Sequence, residues 1–299
     1  MANLYSQVKA NVRKTWLLLT TFFLMIIFFG WLFSYLFNDS SFLIIAVLIA
    51  VFQSFLSYWY SDRIVLMTVN AKPIKKEDNP ELYRLVENLC LTAGLPMPKI
   101  YITNESQPNA FATGRDKEHA VIVVTQGLLN KLERVELEGV ISHELSHIGN
   151  RDILLQTMVV VLAGVISLVS NFFLRISYWG RIGDSGEDNG RAILFIFGII
   201  AAILAPLAAT LIQLAISRKR EFLADASGAL ITRYPEGLAR ALEKISQDPT
   251  PLKTASNTTA HLYIENPFRG KSKTSWFNKI FSTHPPVEER IKALREMNI

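Results

Sequence analysis

The sequence predicts an α-helical membrane protein with about four transmembrane helices and a water-exposed α+β domain. Three observations predict it. Residues 16–37, 41–61, 153–174 and 192–217 contain no Asp, Glu, Lys or Arg, and each block is long enough to cross a hydrocarbon core. The 299 residues are 50% hydrophobic, and the apolar residues are gathered into those blocks rather than dispersed as in a soluble core. Between the second and third blocks, short β-branched runs alternate with helical patterns, which is the signature of a small α+β unit.

The elements follow in order. Lys9, Arg13 and Lys14 precede the first block as in a signal peptide. That block is too long for one, and a second follows almost at once, so a retained helical hairpin is expected. Residues 38–41, Asn-Asp-Ser-Ser, suit its turn and a helix cap. Residues 64–69, 99–103 and 120–125 read as strands by their β-branched and aromatic content. Asn79-Pro80-Glu81 opens a helix with Pro at its first position, and Gly94 closes it. Leu137, Ile141, Leu145 and Ile148 recur at helical spacing, with Glu133 and Glu136 upstream and Gly149-Asn150 as the stop. The polar run 254–259 reads as a mobile loop and 269–273 as a basic one. A terminal helix over 286–297 turns Val287, Ile291 and Leu294 inward. The resulting organisation is a transmembrane hairpin (1–61), an α+β part (62–152), a second hairpin (153–217) and a helical part (218–299).

Flanking charge orients these parts. Lys9, Arg13 and Lys14 precede the first block, Arg63 and Lys72 follow the second, and Arg218-Lys219-Arg220 follows the fourth. The positive-inside rule then places both termini and the middle segment in the cytoplasm of a multi-pass cell-membrane protein. The net charge of +5 fits an anionic bilayer surface. No nucleic-acid motif accompanies it, so no nucleic-acid partner is expected. The single cysteine, Cys90, excludes an internal disulfide and fits a reducing compartment.

The chemistry is concentrated in His143-Glu144-Leu145-Ser146-His147. On a helix, residues four apart share a face, so both imidazoles reach one metal ion. Glu144 follows the first ligand and is placed to act as base on a water without ligating. A hydrolytic zinc site needs a third protein ligand. Glu221 is the candidate, with Asp225 one turn further on as a partner for the second N–H of a ligating histidine. Taken alone, this pair reads more simply as solvated charge on a basic juxtamembrane helix. Topology favours the ligand reading. Two apolar blocks separate His147 from Glu221, so the chain returns to the side it left. If the helix continued from His147 to Ile153, the two would lie about 9 Å apart, close to the membrane surface.

In order, these motifs resemble the HtpX-type membrane zinc metalloproteases, a bacterial heat-shock quality-control family related to the CAAX prenyl endopeptidases. The likeness rests on two N-terminal spans, the His-Glu-x-x-His helix ending in Asn150-Arg151-Asp152, and a further hairpin. It continues through Glu221-Phe222-Leu223-Ala224-Asp225 and Thr283-His284-Pro285, and so covers essentially the whole chain. The resemblance implies one zinc ion per chain held by His143, His147 and Glu221, with Glu144 as base and Asp225 as orienting residue. It also implies misfolded or damaged membrane proteins, or other unfolded polypeptides, as substrates. Asn109-Ala110-Phe111, opening the run to Gly114, resembles the family's edge strand, along which an extended substrate adds as a further strand. The alternative is a plain strand-to-turn connection. His284 resembles a position that steadies the tetrahedral intermediate, with Arg290 a weaker candidate, although residues 282–286 equally suit a helix cap. His119 and His261 carry no assignment.

The expected function is therefore an integral membrane zinc endopeptidase with a cytoplasmic site. One alternative is a CAAX-type endopeptidase, which calls for more spans than these four blocks supply. Another is a catalytically idle zinc-binding scaffold or chaperone, which has no use for Glu144.

Overall fold

The computed structural model describes residues 4–179, 199–200, 204, 217–256, 258–268 and 285–297. The first two apolar blocks form antiparallel helices α1 (Leu4–Phe37) and α2 (Ser41–Thr68). At their turn, Asn38 adopts a left-handed φ of 48° and the Asp39 carboxylate accepts the Ser41 N–H at 2.9 Å. The third block lies in α6 (Asp152–Trp179). Three helices among the described residues are long and apolar enough to cross a membrane. Phe28, Trp31, Leu48 and Phe52 are exposed on α1 and α2, whereas Met158, Val159 and Leu162 of α6 are buried between helices. Exposed apolar faces of this kind suit lipid and would be costly in water. Most of the fourth block lies outside the described residues.

Helix α2 runs to Thr68, so the strand expected at residues 64–69 is instead the last turn and a half of a long apolar helix. Its β-branched and large apolar residues pack there on the underside of the sheet: Val65 and Leu66 share a core with Phe111, Val121, Val123 and Val160. Asn70, at φ 51°, then ends the helix.

The sheet contains β1 (Lys72–Pro73), β2 (Lys99–Thr103), β3 (Ala110–Thr113) and β4 (Val121–Thr125). Its order is β1-β2-β4-β3, with β2 and β4 parallel and the other pairings antiparallel. Side-chain alternation divides it cleanly. Ile100, Ala110, Ala112, Ile122 and Val124 face one core, and Phe111, Val121 and Val123 face the α2–α6 side. The first face is covered by α3 (Pro80–Ala93) and α5 (Arg134–Gly149). Helix α3 has the expected punctuation: the Asn79 side chain accepts the Leu82 N–H, Pro80 is the first residue, and Gly94 closes it at φ 64°. A short α4 (Gln126–Lys131) leads into α5.

The C-terminal helices are α7 (Arg218–Thr232), α8 (Pro235–Ser246) and α9 (Val287–Arg295). Ala229, Leu238, Leu242 and Leu294 join the same core as α3 and α5. Residues 62–152 and 218–299 therefore contribute to one hydrophobic core. Val287 and Ile291 pack against it as expected. The polar run at 254–259, expected to be a mobile loop, makes specific contacts where described. Thr259 is buried and trades hydrogen bonds with Ser256, and Glu105 accepts the N–H groups of Lys253 and Thr254. The basic run 269–273 lies outside the described residues.

Candidate metal centre

Helix α5 supplies the first two donors. Its N-terminus is set by Glu133, whose N–H donates to the Glu136 carboxylate at 2.9 Å in a capping-box arrangement. The stripe Ile141, Leu145 and Ile148 is buried, and Leu137 packs at its margin. With that stripe against the core, His143, Glu144 and His147 face α7 and α6, where they too are buried. The helix stops at Asn150, and Arg151 takes a left-handed φ of 55° before α6 begins at Asp152. The helix therefore does not continue into the third span. The break swings Asp152 back toward His147.

Helix α7 brings the third donor. Its close approach to α5 depends on Gly228, where a Cβ would lie 2.9 Å from the His143 backbone nitrogen. That separation is shorter than real Cβ contacts tolerate. The packing sets Glu221 3.8 Å from His143 Nε2 and 3.7 Å from His147 Nε2. The two Nε2 atoms are 3.2 Å apart, and one donor atom from each of the three residues lies within 4.8 Å of the others. Ligands 2.0–2.1 Å from a tetrahedral zinc are separated by about 3.3 Å, so the imidazole pair already has that spacing and Glu221 needs to close only slightly.

The outer contacts make the case for a cation. His143 Nδ1 lies 2.9 Å from Asp225 Oδ1, and His147 Nδ1 lies 3.0 Å from Asp152 Oδ2. The Asp152 carboxylate only accepts, so His147 Nδ1 carries the hydrogen, and the Asp225 carboxylate beside His143 Nδ1 favours the same tautomer there. The two Nε2 lone pairs then face one another beside the Glu221 carboxylate. Such a cluster repels itself unless a proton or a metal ion sits within it, and its donor set of two imidazoles and a carboxylate suits zinc. The field is strongly negative. Burial opposes charge on His147, but the hydrogen bond to Asp152 and the charges of Glu221, Asp152 and Glu144 outweigh it, raising its pKa to about 9.

Asp225 stays ionised despite complete burial. Arg290 grips it with two hydrogen bonds, Nε to Oδ2 at 2.8 Å and Nη2 to Oδ1 at 2.7 Å, and donates Nη1 to the Ile264 carbonyl at 3.1 Å. Burial raises the Asp225 pKa, and the Arg290 charge and hydrogen bonds override that, bringing it to about 2. Burial lowers the Arg290 pKa, but Asp225 and the nearby carboxylates raise it well above the usual range. The guanidinium thus engages the carboxylate behind His143, and its Nη1 also lies 4.0 Å from Glu221 Oε2.

The other sequence-derived candidates fare differently. Asn109, Ala110 and Phe111 do lie at a sheet edge, because β3 is the outer strand. All three are buried, and the chain's own residues cover them. Ile264 N–H donates to the Ala110 carbonyl at 3.0 Å, the Asn109 amide donates to the Glu265 carbonyl at 3.0 Å, and Phe111 packs edge-on against Tyr263. Residues 263–265 therefore lie against this edge, with one backbone hydrogen bond to β3. His284 lies outside the described residues. Two contributors carry no assigned role in the sequence reading, although Asp152 stands in the motif that ends the helix. Asp152 is five residues past His147, off the helical i+4 rule, and reaches it only because of the break at Arg151. Asn11, on α1, donates to Asp152 and carries no local signal at all.

Comparison with known proteins agrees with this architecture. Residues 76–298 match the model of peptidase family M48. A protease HtpX homolog from Thermoanaerobacter pseudethanolicus is 47% identical over 301 residues, covering 99% of this chain and 98% of that protein. Another from Pyrococcus furiosus is 52% identical over 265 residues, 88% of this chain and 89% of that one. The crystal structure of S. mikatae Ste24p is similar in fold, with a TM-score of 0.50 at 19% identity; 94% of this chain matches 66% of that one. With a family match across three quarters of its length and near-full-length relatives at this identity, the chain belongs to peptidase family M48 and, within it, to the HtpX proteases.

Proposed function

We propose that this chain is an integral membrane zinc endopeptidase that hydrolyses peptide bonds of misfolded or damaged membrane proteins on the cytoplasmic side of the cell membrane. The observation that carries the proposal is the convergence of His143, His147 and Glu221, with a carboxylate behind each imidazole. Held by those three residues, zinc supplies a Lewis acid that acidifies a water and polarises a carbonyl oxygen. Glu144, next to His143 on the buried face of α5, accepts the proton of the attacking water as the new C–O bond forms. It returns that proton to the amide nitrogen as the C–N bond breaks. Asp225 and Asp152 keep each Nδ1–H engaged, which fixes the tautomer and directs each Nε2 lone pair inward.

The positive flanks at Lys9, Arg13, Lys14, Arg63 and Lys72 and the 218–220 run support the cytoplasmic orientation. The nearness of the centre to the first residues of α6 supports substrates presented at the bilayer surface. Glu144 weighs against an idle scaffold, because a structural metal site needs no base. Glu144→Gln tests the assignment. Zinc stoichiometry should stay at one per chain, while cleavage of an unfolded test substrate falls about a hundred- to ten-thousand-fold. An active Glu144→Gln protein with normal zinc would defeat this mechanism.

A further inference from the structure

Asp152 takes its shortest hydrogen bond from the first membrane helix. Asn11 lies two residues into the apolar stretch of α1 that begins at Lys9, and is 1% exposed. Its Nδ2 stands 2.6 Å from Asp152 Oδ1 and 3.4 Å from the Asn150 carbonyl. Both partners are acceptors, so the amide must present its NH2 group to them. One side chain from α1 thus touches both sides of the break between α5 and α6. Asp152 is otherwise paired with Arg220 of α7, Nε to Oδ1 at 3.4 Å, and with the His147 ring. A buried amide at the mouth of an apolar span is costly unless satisfied. Here its satisfaction falls on the carboxylate that orients a metal-ligating histidine.

We infer that Asn11 is a positioning residue of the metal centre: acting through Asp152, it sets the orientation of His147, so that the first membrane helix is a working part of the site rather than only an anchor. The inference rests on the proposed zinc site. It follows from hydrogen-bond geometry. Without the amide donor, Asp152 Oδ1 loses its closest partner and the carboxylate is free to rotate toward Arg220, which slackens its hold on His147 Nδ1–H. Any movement of α1 relative to α6 has the same consequence, so the state of the membrane helices reaches the metal through one contact.

The test uses the full-length protein in detergent or lipid. Zinc affinity is measured by chelator competition, the ligand field by the visible spectrum of the cobalt-substituted protein, and kcat and KM separately. Asn11→Leu should weaken zinc binding about tenfold or more, within the range for outer-sphere partners. It should also shift the cobalt spectrum and lower kcat with little change in KM. Asn11→Ser, which keeps a donor and is easily accommodated, should retain part of the affinity. Gln53→Leu, which removes a hydrogen bond to Ser57 within α2, should change none of these. Finally, Asn11→Leu should add nothing in an Asp152→Asn background, because both act through one carboxylate. Unchanged zinc affinity and cobalt spectrum in Asn11→Leu, or full additivity with Asp152→Asn, would overturn the inference while leaving the metal site intact. A parent protein that binds no zinc would overturn the proposed function itself, and this inference with it.

Discussion

The two histidines of the centre are held in different ways. On the His143 side, Asp225 comes from α7 and is balanced by a two-pronged arginine from α9, all within the helical core that covers the sheet. On the His147 side, Asp152 begins the third long apolar helix, and its closest donor is a neutral amide from the first. The first arrangement is a charge-compensated pair whose parts share a single core. The second combines that amide with Arg220 of α7, 3.4 Å from Asp152 Oδ1, and joins the long apolar helices to the helical core. One imidazole is therefore fixed within the helical core alone, while the other depends also on how α1 packs against the start of α6.

Breaking the charged side should cost the most stability. Arg290→Met leaves the Asp225 carboxylate buried without its counter-ion, and removing one partner of a buried pair typically costs about 3–5 kcal/mol. Chemical unfolding should show this loss, whereas Asn11→Leu, which removes a neutral donor, should lose only about 1–3 kcal/mol. Equal losses would erase the distinction between the two sides.

At the metal, the two sides should weigh more evenly. Asp225→Asn and Asp152→Asn each disturb one imidazole, and each should weaken zinc binding about 10- to 100-fold. If the sides act independently, the double variant shows the product of the two losses. A double variant no worse than the weaker single would mean that the carboxylates work as one unit.

The smallest effect lies away from both sides. Asn79→Ala removes the cap of α3, which packs on α5 from the side remote from the metal, and should lower stability by about 1 kcal/mol. Zinc affinity should not change. A change would mean that strain in the sheet-covering helices reaches the site, and the two-sided description would then be too narrow.

Much of this molecule was legible in the sequence wherever local chemistry decides. The span of α3 follows from Asn79, Pro80 and Gly94, because caps and left-handed turns act over a few residues. Strands β2 and β4 follow from their β-branched and aromatic content, and the buried stripe of α5 from helical periodicity. The misreading has a physical cause. Residues 64–69 have β-branched content, yet they continue a helix that was already propagating and bury their side chains under the sheet. Adding one residue to an existing helix is far easier than nucleating a new element. Residues 254–259 are polar, yet the buried Glu105 and Thr259 give their backbone partners that composition cannot show.

For the site, the sequence by itself determined the inner donors. His143 and His147 are four residues apart on one helix, so the helical repeat alone brings them together. Glu221 and Asp225 are paired by the same rule on α7. The tertiary structure alone decided what stands behind them. Asp225 meets Arg290 across 65 residues of chain, and Asp152 meets Asn11 across 141. It also decided that residues 263–265, and not open solvent, lie along the β3 edge. The physical reason is range. Helical spacing and capping act over a turn or two of backbone, whereas a buried carboxylate must find its donor wherever packing brings one within hydrogen-bond reach.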